Sequence, residues 1–192
     1  SAPNGNFDGV LMARGETQAP FGFFMGDSSN WKTPSKPFLS ASLGKVLTSR
    51  GIDYLAQEDA RQISWRGDGR GLISLQTQRQ IDLTALGKAA ALDLVMHFRL
   101  DGKPTAAVLL AMGCGDNCSA QLDITQMLKA GGTGKWHKLA VPLSCFTQKG
   151  LNASAVNAPV LLETNGAMRL SLTRIELVAN RATPATSQSC PR

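Results

Sequence analysis

Long apolar runs are missing from this 192-residue chain. Nowhere does it hold the roughly 20 consecutive apolar residues of a membrane-spanning helix, and it contains no secretory h-region. Aromatic residues make up only 6% of it, with a single Tyr and three Trp, which argues against a long platform of exposed rings. Charged residues are scarce too, at 18%, and the net charge of +6 comes from 20 scattered basic and 14 acidic side chains. No segment carries the dense Lys/Arg stripe with interleaved aromatics of a nucleic-acid partner. The chain is also too short for an eight-fold barrel, which takes about 250 residues. It begins Ser1-Ala-Pro3 without Met, as a processed protein or a piece of a larger one does.

Several short motifs carry little weight. Ala130-Gly-Gly-Thr-Gly-Lys135 resembles a phosphate loop, but Lys129 stands where the pattern needs Gly and Trp136 where it needs Ser or Thr. Gly67-x-Gly69 precedes a strand, not a helix, and is no dinucleotide fingerprint. Arg66-Gly-Asp68 matches an adhesion tripeptide only by its three letters, and Asn152-Ala-Ser154 is a glycosylation sequon. No Ser or Cys lies in a nucleophile-elbow context, and nothing places two of the carboxylates Glu58, Asp59, Asp93, Asp123, Glu163 and Glu176 across a cleft. The chain by itself reads as non-catalytic.

What is present is strand periodicity. Leu92, Leu94, Met96, Phe98 and Leu100 alternate with Asp93, Val95, His97 and Arg99. A period of two puts one row into a core and the other on an open face. After the turn residues 101–104, Ala106 to Met112 runs almost wholly apolar, like a strand covered on both sides. Residues 62–66 and 72–78 read as a hairpin across Gly67-Asp-Gly-Arg-Gly71, and Trp136 to Phe146 as one strand with Trp136 and Trp65 packed in the core. Met168 to Val178 is the last, long strand. Ile81 to Leu86 holds one helical turn started by Asp82, and Leu122 to Ala130 reads as the one crossover helix, stopped by Gly131 and Gly132. Eight or nine short strands give an all-β class: a jelly-roll β-sandwich with one short crossover helix. Residues 1–21 read as an N-terminal extension or linker with at most one short strand, around Phe7 to Met12, 22–179 as the sandwich and 180–192 as a flexible tail.

The four cysteines, Cys114, Cys118, Cys145 and Cys190, allow three complete pairings and favour an oxidising compartment. Cys114 and Cys118 can close a tight loop, leaving Cys145 to reach Cys190 or to stay reduced. A zinc site competes poorly because the C-x-x-x-C spacing is wrong.

Four ordered motifs carry a resemblance. They are Phe24-Met-Gly-Asp-Ser-Ser-Asn-Trp-Lys-Thr-Pro34, Gln57-Glu-Asp-Ala-Arg61 with Ile63-Ser-Trp65, Met112-Gly-Cys-Gly-Asp-Asn-Cys-Ser119, and Lys135-Trp-His-Lys-Leu-Ala-Val-Pro-Leu-Ser-Cys-Phe146. Between Gly22 and Val178 the chain resembles the C-terminal galactose-binding-like jelly-roll domain of bacterial family 3 glycoside hydrolases, whose parents are exo-acting β-glucosidases and glucan glucohydrolases. The resemblance implies an accessory domain, periplasmic or secreted, that packs beside absent catalytic domains and lends support to the rim of their substrate site. The alternative is an autonomous carbohydrate-binding module. The implied partners are β-glucan or gluco-oligosaccharide and the catalytic domains of a parent hydrolase, with no nucleic acid and no membrane span.

Sugar recognition needs an aromatic face for axial C–H bonds and amide, carboxylate or guanidinium groups for hydroxyls. The residues offered for carbohydrate binding or domain docking are Asn30 and Trp31 in a long loop, Gln57 and Asp59 before a strand, Gln76 and Gln78 on a returning strand, and His97 with Arg99. Each has a plainer reading. Trp31 can anchor its own loop, Asp59 can cap loop backbone, and Gln76 and Gln78 can belong to a solvated sheet face. No cofactor is required. Jelly-roll modules of this kind often carry a structural calcium near the chain ends, for which Asp8, Asp53 and Glu176 are oxygen donors, with ordinary surface carboxylates as the other reading.

Overall fold

The structure is a computed structural model that describes residues 7–27, 33–35, 41–43, 46–179 and 190–191. Fourteen strands follow in chain order: β1 (Val10–Ala13), β2 (Glu16–Thr17), β3 (Gly22–Gly26), β4 (Thr33–Ser35), β5 (Ala41–Leu43), β6 (Leu47–Ile52), β7 (Ala60–Arg66), β8 (Gly71–Gln76), β9 (Leu92–Gly102), β10 (Val108–Gly113), β11 (Ser119–Asp123), β12 (Trp136–Pro142), β13 (Ala158–Thr164) and β14 (Ala167–Ala179). The short helices α1 (Thr125–Lys129) and α2 (Leu143–Thr147) interrupt them. The strands form two antiparallel sheets, ordered β12-β9-β14-β7-β6-β5, with β1 and β2 attached at β14, and β11-β10-β13-β8-β3-β4. This is the expected all-β sandwich.

The alternation read from β9 holds. Leu94, Met96, Phe98 and Leu100 are each at most 2% exposed and meet Leu110, Leu162, Ile73 and Leu75 of the opposing sheet in one apolar core. Inside it lies one arginine. Arg61 is 2% exposed, its guanidinium donating to Ser49 Oγ at 2.6 Å and lying 4.8 Å from the centroid of the Phe23 ring.

Three expectations need correction. Residues 62–66 and 72–78 do not form a hairpin: β7 pairs with β6 on one side and β14 on the other, so both its edges are taken and the chain crosses to the opposite sheet. Gly67, at φ +86°, makes that crossing where a Cβ would lie 3.0 Å from the Ala167 nitrogen. The helix expected from Leu122 is shorter, because Ala120 and Leu122 alternate into the core as part of β11 and only the segment past Asp123 turns. The Asp123 carboxylate starts it by accepting from the backbone amide and hydroxyl of Thr125 at 2.9 and 2.5 Å. The strand expected to run to Phe146 ends at Pro142, which has no amide for a ladder and whose φ of −57° suits a helix entrance. The one short strand expected around Phe7 to Met12 is β1 (Val10–Ala13), which pairs with the second half of β14 and buries Leu11 and Met12 completely.

The one-turn reading of Ile81 to Leu86 holds, with the Asp82 carboxylate capping the Thr84 amide at 2.9 Å. The cysteines pair as Cys114–Cys118 and Cys145–Cys190, with Cα separations of 4.9 and 5.4 Å. The second bond ties the tail to α2, so residue 190 is anchored; residues 180–189 of the expected tail lie outside the described residues.

Candidate functional site

The side chains of β9 that point away from the core are Val95, His97, Arg99 and Asp101, all half-buried. Register carries this face across the sheet. Trp136 of β12 and Ser171 of β14 flank Arg99, Gln62 of β7 stands beside Ser171, and Arg50 of β6 beside Gln62. One row therefore reads Trp136, Arg99, Ser171, Gln62, Arg50 over five adjacent strands.

Its groups are joined by hydrogen bonds. Asp101 accepts from Arg99 Nε at 2.5 Å, from Gln62 Nε2 at 2.8 Å and from Ser171 Oγ at 2.5 Å, while Arg50 Nε donates to Gln62 Oε1 at 2.9 Å. Burial raises the Asp101 pKa, but these hydrogen bonds and the Arg99 charge outweigh it and leave the carboxyl below its ordinary value. The Arg99 guanidinium carbon also lies 5.2 Å from the Trp136 ring centroid.

Beyond the row, the loop between β6 and β7 folds back over β9. Asp59 holds it, its carboxylate accepting from the backbone amides of Tyr54, Leu55 and Ala56 at 2.5, 2.9 and 2.8 Å. Burial pushes this carboxyl up and the amides more than compensate, so it too titrates below its ordinary value. The loop delivers Tyr54 onto the face, with ring centroids 4.6 Å from Trp136 and 5.2 Å from His97; His97 lies 5.5 Å from Trp136. Burial, with Lys138 on the neighbouring strand, holds His97 below its usual pKa, so the ring is neutral at pH 7. A cavity of about 350 Å³ opens beside this cluster, lined by Tyr54, Asp59, His97, Arg174 and Arg14 among others. Such a surface offers ring faces for apolar C–H groups beside a fixed array of donors and acceptors for hydroxyls.

The sequence-based candidates divide. His97 and Arg99 share this face. Gln57 is exposed in the Tyr54 loop, while Asp59 spends its carboxylate on loop backbone. Gln76 ends β8 on the opposite sheet and Gln78, expected on the same strand, lies in the bend after it; both line a separate groove of about 740 Å³ with Phe24, Arg79 and Asn157. Asn30 and Trp31 lie outside the described residues. The oxygen donors offered for calcium are otherwise engaged: Asp8 accepts from the Val10 amide, Asp53 from the Glu58 amide and Glu176 from Arg174. Among the described residues no group of three or more His, Cys, Asp or Glu is placed to hold a metal ion.

Trp65 packs in the core as expected, its indole donating to the Gly71 carbonyl at 2.9 Å. Trp136 corrects the expectation made for it. It is half-buried on the open face, and the signal was present in the alternation of Trp136 and Lys138 with Leu139 and Val141. Gln62 and Arg50 were missed because only strand pairing brings them to Arg99, Asp101 because it reads as a turn residue, and Tyr54 because a loop held by Asp59 places it.

A profile of the galactose-binding domain-like family matches residues 19–177. The exo-1,3/1,4-β-glucanase ExoP of a Pseudoalteromonas species superposes on 97% of the chain with a TM-score of 0.73 at 21% identity, and the chain spans 22% of that enzyme's length. The extra C-terminal domain of the same enzyme, solved separately, superposes on 96% of the chain and is itself covered to 99%, with a TM-score of 0.71 at 20% identity. The family 30 carbohydrate-binding module of a Clostridium thermocellum cellulosomal cellulase covers 92% of the chain and is covered to 99%, at 12% identity and a TM-score of 0.62. A family 11 module of C. thermocellum, solved with a β-1,3-1,4-mixed-linked tetrasaccharide, covers 91% and is covered to 98%, at 10% identity and a TM-score of 0.53. No curated protein matches the sequence. Among the described residues no helix is long and apolar enough to cross a membrane.

Proposed function

The chain belongs to the galactose-binding domain-like family, and from that premise we propose that it is a non-catalytic accessory domain of a secreted or periplasmic β-glucan-degrading exo-glucosidase of the family 3 glycoside hydrolases. Its part is to hold glucan on the outer face of the β9–β14 sheet, beside the catalytic domains. One observation carries this reading: Tyr54, His97 and Trp136 cluster next to a row in which Arg99, Asp101, Gln62 and Ser171 already fix one another. Pre-fixed polar groups lose little conformational freedom when a sugar arrives. Two disulfides support an oxidising compartment.

The Clostridium modules, matched over nearly their full lengths, favour a second reading in which the domain binds glycan autonomously. Calorimetric titration of the chain with mixed-linked β-1,3/1,4-gluco-oligosaccharides is the test. Saturable binding removed by Trp136→Ala is expected. No heat at millimolar ligand overturns the glycan-holding role and leaves only support of a catalytic neighbour.

A further inference from the structure

Two residues along the strands from the row just described, about 7 Å by strand geometry, the same face changes character. Arg169 of β14 stands beside Ser64 of β7, and Ser64 beside Thr48 of β6. With Arg66 and Lys103 they line a cavity of about 520 Å³. Its nine lining residues include three cations, Arg66, Lys103 and Arg169, and two hydroxyls, and no carboxylate. Asp101, adjacent in sequence to the lining residue Gly102, is occupied by Arg99, Gln62 and Ser171. None of the three cations is among the described ion pairs, which are Arg70–Glu163, Arg99–Asp101 and Arg174–Glu176.

A neutral glucan has no use for this arrangement. Three like charges around one concavity repel one another and focus a positive potential into it, a cost relieved when an anion enters. Guanidinium forks match a carboxylate in two parallel hydrogen bonds, and Thr48 and Ser64 can donate to the neighbouring ring hydroxyls. We propose that this cavity is a subsite for an anionic sugar unit, a hexuronate carboxylate in the first instance, so that a chain lying across Trp136 and Arg99 is read for negative charge at its next position. This rests on the glycan-holding role of the face and deepens it.

The test pairs two ligands that differ only at C6: cellohexaose and the hexamer of β-1,4-linked glucuronate. Calorimetric titration of the full chain is expected to give at least tenfold tighter binding of the glucuronate hexamer, an advantage that shrinks as salt rises. Arg169→Gln combined with Lys103→Gln should erase that advantage while changing the cellohexaose affinity less than twofold. Lys88→Gln combined with Lys129→Gln removes as much charge elsewhere and should leave it intact. Equal affinity for the two hexamers, or an advantage that the distal pair erases equally, overturns the subsite while the glycan-holding role stands. If neither hexamer binds, the subsite falls, and the glycan-holding role falls with it when the mixed-linked oligosaccharides give no heat either. Both pairs of changes are at exposed positions, and an unchanged melting temperature verifies that the variants fold.

Discussion

On the sheet that contains β9 and β14, the outward row over five strands is Trp136, Arg99, Ser171, Gln62 and Arg50. On the opposite sheet the comparable row is Gln121, Ala111, Leu161, Ser74 and Phe24. Both follow from the same period of two, and both face away from the same core. The first is a connected polar array next to rings that meet edge-to-face or tilted. The second is largely apolar, and the carboxylate two residues along β13 from it, Glu163, is already held by Arg70 and by Gln121 at 2.9 Å. The contrast teaches that alternation alone decides only which side chains leave the core. Whether an outward face can recognise a ligand depends on which strands are brought together, because Asp101 gains its three donors from three different strands. The apolar row suits contact with a neighbouring protein surface, the polar one contact with hydroxyls.

The sharpest way to break this contrast is Trp136→Ala, expected to cost about 30-fold or more in glucan affinity, the scale of a central aromatic anchor. The melting temperature should move little, since the side chain is only half-buried. Asp59→Ala should come next. It releases three loop amides and with them the position of Tyr54, so a loss of about tenfold in affinity is expected together with new proteolytic cleavage between residues 53 and 59.

Asp101→Asn sharpens the comparison through pH. The folded carboxyl titrates below its unfolded value of about 3.8, so its stabilisation is complete above that value and disappears as pH falls through the lower folded one. At pH 7 the substitution should cost about 1–3 kcal/mol. The gap in melting temperature between the two proteins should close below about pH 4; a gap that persists unchanged to pH 2 would refute the ionised network. The smallest effects belong to the other face. Phe24→Ala should leave glucan affinity unchanged in titration, and Glu163→Gln should lower stability by no more than about 1 kcal/mol, since its partner Arg70 is 46% exposed. Glucan affinity lost in Phe24→Ala as strongly as in Trp136→Ala would dissolve the distinction between the faces.

Much of the fold was legible locally. The β9 alternation, the Asp82 turn and the sandwich class each depend on side-chain period or capping chemistry within a few residues. Pairing was not legible. Gly67 to Gly71 has hairpin composition, yet β7 and β8 part because β6 and β14 claim both edges of β7. At the candidate site, His97 and Arg99 could be read from one strand, whereas Gln62, Ser171 and Asp101 are separated by tens of residues and meet only through register. Tyr54 was invisible for a different reason: its place depends on a buried carboxylate five residues on. Trp136 was legible and was misjudged, because its apolar flanks outweighed the parity of its position.

The place of β14 has a consequence for biosynthesis. It lies between β9 and β7, yet it is the last of the fourteen strands to leave the ribosome. Until residues 167–179 emerge, the larger sheet exists only as three separate pieces, β12-β9, β7-β6-β5 and β1-β2, each with an unpaired edge available to other chains. Ser171 then closes the row between Arg99 and Gln62, so the polar array is completed by the same event that joins the sheet. A nascent or prematurely terminated chain therefore has no partial version of this face, and chaperone demand should peak just before that strand appears.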